Sequence, residues 1–164
     1  IPQGLDVPLV YNSGGYDRPA TLKLLEGVFD IYMPDFKFWG REIAENACQA
    51  SDYADVACRA LKEMHRQVGD LVANDAGIAQ RGLIIRHLVL PGGVAGTRRI
   101  MRFIAKEISA RSYVNIMAQY RPCGRAAEIK GLNTFLSPAD YHKALQEATE
   151  EGITRLDQPR RHLF

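Results

Sequence analysis

Short apolar runs alternate along this chain with segments whose apolar residues recur every three or four positions. Runs of β-branched and aromatic residues favour strands, whereas three- and four-residue spacing favours helices. The runs predict strands at Val7–Tyr11, Val28–Met33, Leu83–Leu90 and Tyr113–Ala118, with a short one at Ile153–Leu156. The spacing predicts helices after Pro19, at Ile43–Cys48, at Tyr53–Val72, after Thr97 and from Pro138 to Glu151. This order predicts an α/β fold in which right-handed crossovers make all strands parallel.

Polar side chains gather where these strands end, which is where parallel α/β folds place their ligands. Asp35 and Lys37 are two residues apart, so on extended backbone they share a face. The topology predicts that one rim of the sheet collects Asn12, Ser13, Asp35, Lys37, Gln119, Tyr120 and Arg121. Arg86 lies slightly deeper, and a buried guanidinium there needs a carboxylate such as Asp35 or an anionic ligand. A ligand site and a purely structural ion-pair network both remain open.

Several other residues have a structural and a functional interpretation. The segment Pro91–Thr97 is either a plain turn or a glycine-rich loop that contacts an anion, and it matches neither the P-loop nor the dinucleotide fingerprint. His87 is expected to be a hydrogen-bonded core residue, and His65 a solvated or stacking residue rather than a metal ligand. Trp39 could stack on a flat ligand or cover the end of the sheet. Among the thiols, Cys48 and Cys58 are predicted to be buried, and Cys123 to lie near the rim.

Composition narrows the class of protein. The 164 residues, 46% hydrophobic and 24% charged, predict a single domain spanning residues 1–164. A net charge of +2 and the short basic tail of Arg155, Arg160 and Arg161 give no stripe for nucleic acid. The absence of an apolar stretch of about 18 residues argues against a membrane span, and we expect a cytoplasmic location. Three widely spaced cysteines argue against a disulfide framework or a paired-cysteine zinc site.

Five separated segments, in order, resemble radical SAM proteins related to the pyruvate formate-lyase activating enzyme. They are Val10–Asp17, Asp30–Lys37, Glu63–Gly69, Arg86–Gly92 and Asn115–Pro122. The resemblance covers nearly the whole chain, and each segment lies at or near a strand end. It implies a partial parallel, TIM-like β/α barrel, of which this chain is the C-terminal half from about the fourth strand.

The same resemblance implies a function. Members cleave S-adenosylmethionine reductively with a [4Fe-4S] cluster, and the resulting 5′-deoxyadenosyl radical abstracts hydrogen from a substrate. An electron donor is required, and in activating enzymes the substrate is a glycyl radical enzyme. The resemblance implies S-adenosylmethionine contacts for Asn12, Ser13, Asp35, Lys37 and Arg86, and near the next strand end for Gln119, Tyr120 and Arg121. Arg121 stands where better-known activating enzymes have a histidine.

The cluster-binding part of the family pattern is absent from this chain. Fe–S clusters are held by cysteine thiolates, and Cys48, Cys58 and Cys123 do not form the family's Cys-x-x-x-Cys-x-x-Cys motif. The Gly-Gly-Glu segment that grips the methionine amine is missing as well. We therefore expect the chain, which opens at Ile1 in a Pro- and Gly-containing lead-in, to need an N-terminal half. A half-barrel would also leave an open strand edge near Val7–Tyr11.

Two other classes of function remain open. Lys37 at a strand end could form a Schiff base in an aldolase-like barrel. Alternatively, the chain could be a non-catalytic module whose rim holds a nucleotide-like anion.

Overall fold

The computed structural model describes Gly4 and residues 7–157. The rest of the lead-in Ile1–Asp6 and the tail residues Arg160 and Arg161 lie outside the described residues. Six strands are present in this part of the chain: β1 Val10–Ser13, β2 Ile31–Pro34, β3 Val72–Ala73, β4 Ala79–Leu88, β5 Tyr113–Met117 and β6 Arg155–Leu156. Its α-helices are α1 Pro19–Leu24, α2 Arg41–Cys48, α3 Tyr53–Val68, α4 Thr97–Phe103 and α5 Pro138–Glu150.

The fold is α/β, with a mostly parallel six-stranded sheet. The strand order is β1-β2-β4-β5-β6, and all of these neighbours are parallel. Within the part of the chain that the structure describes, strand β1 therefore stands at an edge of the sheet, the edge that a half-barrel would leave open. The exposed side chains of Val7 and Val10 lie at this edge.

The prediction that every strand is parallel is wrong for β3, which pairs antiparallel with β4. The long helix ends at Val68, four residues earlier than predicted, because Gly69 adopts a φ of 72° that leaves the helix. The chain then turns at Asn74, whose side-chain oxygen accepts hydrogen bonds from the amides of Ala76 and Ile78. This asparagine turn makes a hairpin where the sequence pattern predicted only the end of a helix.

Helices cover one face of the sheet. Alternate strand residues such as Tyr32, Ile85 and Val114 are fully buried on this face, and α3 packs directly on β2 and β4. The intervening residues Ile84 and Met117 are only half-buried. The two faces of each strand therefore differ, and the less covered face carries the side chains of Asp35 and Arg86.

The helix boundaries follow local capping and turn chemistry. Ser137 caps α5 with a reciprocal capping box to Asp140, and Pro138 occupies the first turn, as the sequence predicted. Helix α4 continues as a π-helical turn at Ile104–Ile108. Among the described residues, no helix has the length and apolar composition that crossing a bilayer requires.

Candidate functional site

A charged cluster lies where β1, β2 and β4 end. Asp35 follows β2 and is bridged to Arg86 of β4 through the backbone. The Arg86 Nη2 atom lies 2.7 Å from Asp35 Oδ1, and it donates a hydrogen bond of 2.8 Å to Asn12 Oδ1 on β1. Lys37 Nζ pairs with the other carboxylate oxygen of Asp35. The structure thus brings together Asn12, Asp35, Lys37 and Arg86, which the sequence placed at or near one rim.

The cluster is only partly satisfied by its own members. Arg86 Nε and Asp35 Oδ1 are both buried and lack a hydrogen-bond partner. The 2.7 Å approach of Arg86 Nη2 gives Asp35 Oδ1 an ion pair but not a well-aligned hydrogen bond. Buried polar atoms normally have partners, so the cluster retains hydrogen-bonding capacity that its own members do not use.

Exposure is uneven across the cluster. The side chain of Asp35 is 14% exposed, that of Arg86 is 25% exposed and that of Lys37 is 39% exposed. The acid is therefore enclosed, whereas the ammonium group reaches toward solvent. A ligand that approaches from outside meets Lys37 first and the guanidinium deeper in.

The structure separates Ser13 from this cluster. Asn12 and Ser13 belong to β1 rather than to the loop predicted after it, so their side chains point to opposite faces. The Ser13 hydroxyl donates to Asp17 Oδ2 at 2.7 Å and accepts from the Gly15 amide. Ser13 thus shapes the turn after β1, and only its carbonyl, which accepts from the Asp35 amide, reaches the cluster residues.

The third group of predicted residues lies beyond β5. Tyr120 donates its hydroxyl hydrogen to the carbonyl of Leu132 at 2.6 Å and so ties down the following loop. Gln119 Nε2 contacts Met117 Sδ at 3.3 Å, and Arg121 is exposed. None of these contacts involves Asp35 or Arg86.

Two cavities open next to the Lys37 loop. The larger, about 850 Å³, lies between α2 and residues 125–131 and includes Gly40 in its lining. The smaller, about 390 Å³, is lined by Phe38, Leu88 and Tyr120. Both cavities include residues close in sequence to Lys37, Gly40 in the larger and Phe38 in the smaller, whereas Asp35, Lys37 and Arg86 line neither.

The cysteines do not form a metal site. Cys48 is exposed and Cys58 is half-buried, which corrects the prediction that both are buried. Their helices α2 and α3 are amphipathic, and these positions fall outside the fully buried stripe. Cys48 and Cys123 both line the smaller cavity, but within residues 7–157 no three His, Cys, Asp or Glu side chains are grouped to hold a metal ion.

The two histidines of interest differ in surroundings. His87 is fully buried, and its ring nitrogens contact the Phe36 carbonyl at 2.8 Å and the Thr97 hydroxyl at 2.9 Å; the core interpretation is confirmed. Burial lowers the pKa of His87 to about 4. His65, for which a solvated or stacking role was expected, is half-buried and lies 3.0 Å from Asp70 Oδ1. Gly69 folds the chain back after α3 and brings that acid alongside the helix.

Trp39 and the glycine-rich loop belong to the protein interior and its turns. The Trp39 ring stacks on Phe36 with centroids 5.9 Å apart, and the guanidinium of Arg99 lies over its outer face. Pro91–Gly93 forms a single 3₁₀ turn, and the Gly92 amide donates to Asp140 at 3.2 Å. The anionic group that contacts the glycine-rich loop in this structure is therefore the carboxylate of Asp140, from the same chain.

Sequence reasoning missed Tyr53, which is buried at the start of α3. Its hydroxyl lies between the loops after β1 and β2. The helical spacing identified it as a core residue, but a tyrosine at a buried position signals a hydroxyl that needs a partner. That signal could have indicated a connection between Tyr53 and the site.

The chain is similar to a known protein over most of its own length. The chain is 34% identical over 149 residues to the uncharacterized protein MJ0674 of Methanocaldococcus jannaschii, and the match covers 90% of this chain. The matched region is 40% of the length of that relative. No family model matches the chain, and no solved structure matches it.

Proposed function

We propose that this chain is the S-adenosylmethionine-binding C-terminal part of a radical SAM enzyme related to the pyruvate formate-lyase activating enzyme. The observation that carries the proposal is the cluster of Asn12, Asp35, Lys37 and Arg86 at the carboxyl ends of parallel strands. The two buried atoms without hydrogen-bond partners, Asp35 Oδ1 and Arg86 Nε, support a polar ligand there.

The donor and acceptor set fits S-adenosylmethionine. Asp35 and Asn12 offer oxygens for ribose hydroxyls or the ligand's ammonium group, and Lys37 and Arg86 offer cations for its carboxylate. When bound, this cofactor would supply the 5′-deoxyadenosyl group that abstracts hydrogen from a substrate. The work of these four residues is to bind and orient the cofactor, with the neighbouring cavities available for the substrate.

The residues of this chain do not fit a [4Fe-4S] cluster, because its three cysteines lie on separate elements without the family spacing. In this proposal, cluster ligands come from a further part of the protein. Support comes from the relative, whose length leaves room for such a segment since this chain spans 40% of it. The open β1 edge and the less covered sheet face support completion of a parallel β/α barrel by further strands.

Binding is the first test. Isothermal titration of S-adenosylmethionine should show saturable binding to the chain and to the longer protein, meaning a protein that contains this chain together with the proposed cluster-binding part. Asp35→Asn and Arg86→Met should each weaken binding by about 10-fold or more. Glu107→Gln, which removes a surface ion pair with Lys62, serves as a control and should bind normally. In the longer protein, reconstituted with iron and sulfide and supplied with a reductant, the product to measure is 5′-deoxyadenosine.

The proposal would be overturned if neither protein binds S-adenosylmethionine, or if the Asp35 and Arg86 substitutions leave its affinity unchanged. If AMP and inorganic phosphate bind as tightly as S-adenosylmethionine, a non-catalytic anion-binding module is favoured. Borohydride trapping of a carbonyl compound on Lys37 would favour a Schiff-base enzyme, although the amine must first leave its ion pair with Asp35.

A further inference from the structure

The hydroxyl of Tyr53 connects the two loops that carry the site. Its oxygen lies 2.7 Å from the carbonyl oxygen of Gly14 in the loop after β1. The same oxygen accepts a hydrogen bond of 3.0 Å from the Lys37 amide, in the loop after β2. The Asp35 carbonyl, 3.0 Å away, is a second acceptor for the hydroxyl hydrogen. One side-chain atom thus contacts the backbone of three positions at the site.

The tyrosine ring is fixed by its surroundings. Only 2% of Tyr53 is exposed, and the ring packs edge-on against Phe36 and Phe38 with centroids 6.2 and 5.6 Å away. Tyr16, from the loop after β1, stacks on its other side with centroids 6.0 Å apart. Burial also raises the pKa of Tyr53 far above its ordinary value, so the hydroxyl stays protonated and remains a donor.

The two loops are in contact at this point. A Cβ atom on Gly15 would lie 2.1 Å from the Asp35 carbonyl oxygen and 3.3 Å from the Tyr53 hydroxyl. Only a residue without a side chain allows this approach, and Gly15 also has a φ of 76°. The relative position of the loops therefore depends on Gly15 for space and on Tyr53 for hydrogen bonds.

We infer that Tyr53 is a positioning residue, which holds the Asp35–Lys37 segment against the β1 loop so that the site is formed before its ligand binds. The hydroxyl contacts the backbone at both ends of this segment, at the Asp35 carbonyl and at the Lys37 amide. Removing the hydroxyl would leave the Lys37 amide and the Gly14 carbonyl without this partner and let the segment move. Preorganised groups bind more tightly because less order is lost on binding. The identity of the ligand rests on the proposed function, but the role of Tyr53 in holding the segment does not.

The test compares Tyr53→Phe with Tyr32→Phe. Tyr32 is a matched control, since it is also fully buried and its hydroxyl also donates a hydrogen bond, to Gln67 Oε1 at 2.7 Å, but on the helix-covered face. Three quantities are measured: affinity for S-adenosylmethionine, hydrogen exchange of the Lys37 amide, and the acetylation rate of the Lys37 side chain by mass spectrometry. Lys62, on the outer surface of α3, is the internal reference for acetylation.

Tyr53→Phe is expected to weaken binding about 10-fold, to speed exchange of the Lys37 amide about 10-fold, and to raise Lys37 acetylation severalfold relative to Lys62. Tyr32→Phe should change each quantity less than about 2-fold, even if the two variants lose similar stability. Equal effects of the two substitutions on the Lys37 amide and on its acetylation would overturn the inference.

Two further outcomes are decisive. If the wild-type chain does not bind S-adenosylmethionine, the proposed ligand is wrong, but the exchange and acetylation data still decide the role of Tyr53. If Tyr53→Phe fails to fold, exchange in the wild-type chain decides instead. The Lys37 amide must then be protected although it lies outside any strand, and free exchange there would overturn the inference.

Discussion

His87 donates its Nδ1 hydrogen to the carbonyl oxygen of Phe36, 2.8 Å away, directly behind the Asp35–Arg86 pair. The Phe36 amide in turn donates to the Arg86 carbonyl at 2.8 Å. The pair Phe36–His87 thus forms a buried neutral contact on one face of the sheet, and the adjacent pair Asp35–Arg86 forms an ion pair on the other face. The neutral contact fixes the distance between the two backbone segments, and so it also positions Asp35 and Arg86.

Stability should fall as the pH is lowered through the range in which His87 would be protonated. The pKa of His87 is lowered from 6.5 to about 4 in the folded protein, so the unfolded chain binds the proton more readily. The free energy of unfolding should therefore decrease between about pH 6.5 and pH 4, by up to about 3 kcal/mol. Urea unfolding at a series of pH values measures this slope.

His87→Gln should have a lower stability at pH 7 and a flatter slope above about pH 5.5, where the Glu63 carboxyl of the unfolded chain is still mostly ionised. His142→Gln, at an exposed position, is the matched control, and the difference between the slopes of the two variants measures the contribution of His87. An unchanged slope in His87→Gln would show that other groups cause the pH dependence.

The Asp35–Arg86 pair should be asymmetric in stability. Asp35→Asn leaves Arg86 and Lys37 without their shared counter-charge, whereas Arg86→Met leaves Asp35 paired with Lys37. We expect Asp35→Asn to cost about 2 kcal/mol and Arg86→Met about 1 kcal/mol, discounted because both cations are partly exposed. The double variant should cost less than the sum. Strictly additive effects in urea unfolding would mean that the pair contributes no coupling.

Gly15→Ala should destabilise the protein by at least about 2 kcal/mol, because the new Cβ would meet the Asp35 carbonyl at a positive φ. Gly14→Ala is the neighbouring control: a Cβ atom at Gly14 would have nothing within 4 Å, and the change should stay within about 0.5 kcal/mol. Thermal unfolding of the two variants measures the difference. Similar values would indicate that the loop rearranges freely.

The open edge at β1 should promote self-association of the chain. Val10 is 45% exposed on this edge strand, and Val10→Lys places a charge that opposes strand pairing. Sedimentation velocity over a range of concentrations should show less association in this variant than in the wild type. Leu24→Lys, at an 83% exposed position of α1, removes apolar surface away from the edge. If it reduces association equally, general apolar contact is responsible and not the strand edge.

Much of the fold was predictable because the core positions repeat with the period of their element. The inward residues of α3, such as Ala57, Leu61 and Met64, are fully buried as their spacing indicated. The hairpin at β3 was not predictable in this way, since it depends on Gly69 and on the side chain of Asn74 rather than on an apolar pattern. A two-residue strand has no period to recognise.

At the candidate site, the meeting of Asp35, Lys37, Arg86 and Asn12 could be predicted because parallel strands bring their carboxyl ends to one edge. Side-chain direction decided the rest. Ser13 follows Asn12 by one residue and points to the other face, where Asp17 binds its hydroxyl. Tyr120 lies beyond the end of its strand, so the direction of its side chain depends on the loop. Its hydroxyl donates a hydrogen bond to the carbonyl of Leu132 rather than to a residue of the cluster.

The hydrogen bond between Asn12 and Arg86 joins residues that are 74 positions apart in the chain. A contact between residues so far apart forms only when the intervening chain is already ordered, because closing a long loop costs conformational entropy. The site therefore exists only in molecules in which β1, β2 and β4 have all assembled, and partly folded chains lack it. A ligand of this site should act as a sensor of complete folding: its saturation reports the fraction of native molecules, and its presence should raise the unfolding temperature in proportion to the logarithm of its concentration.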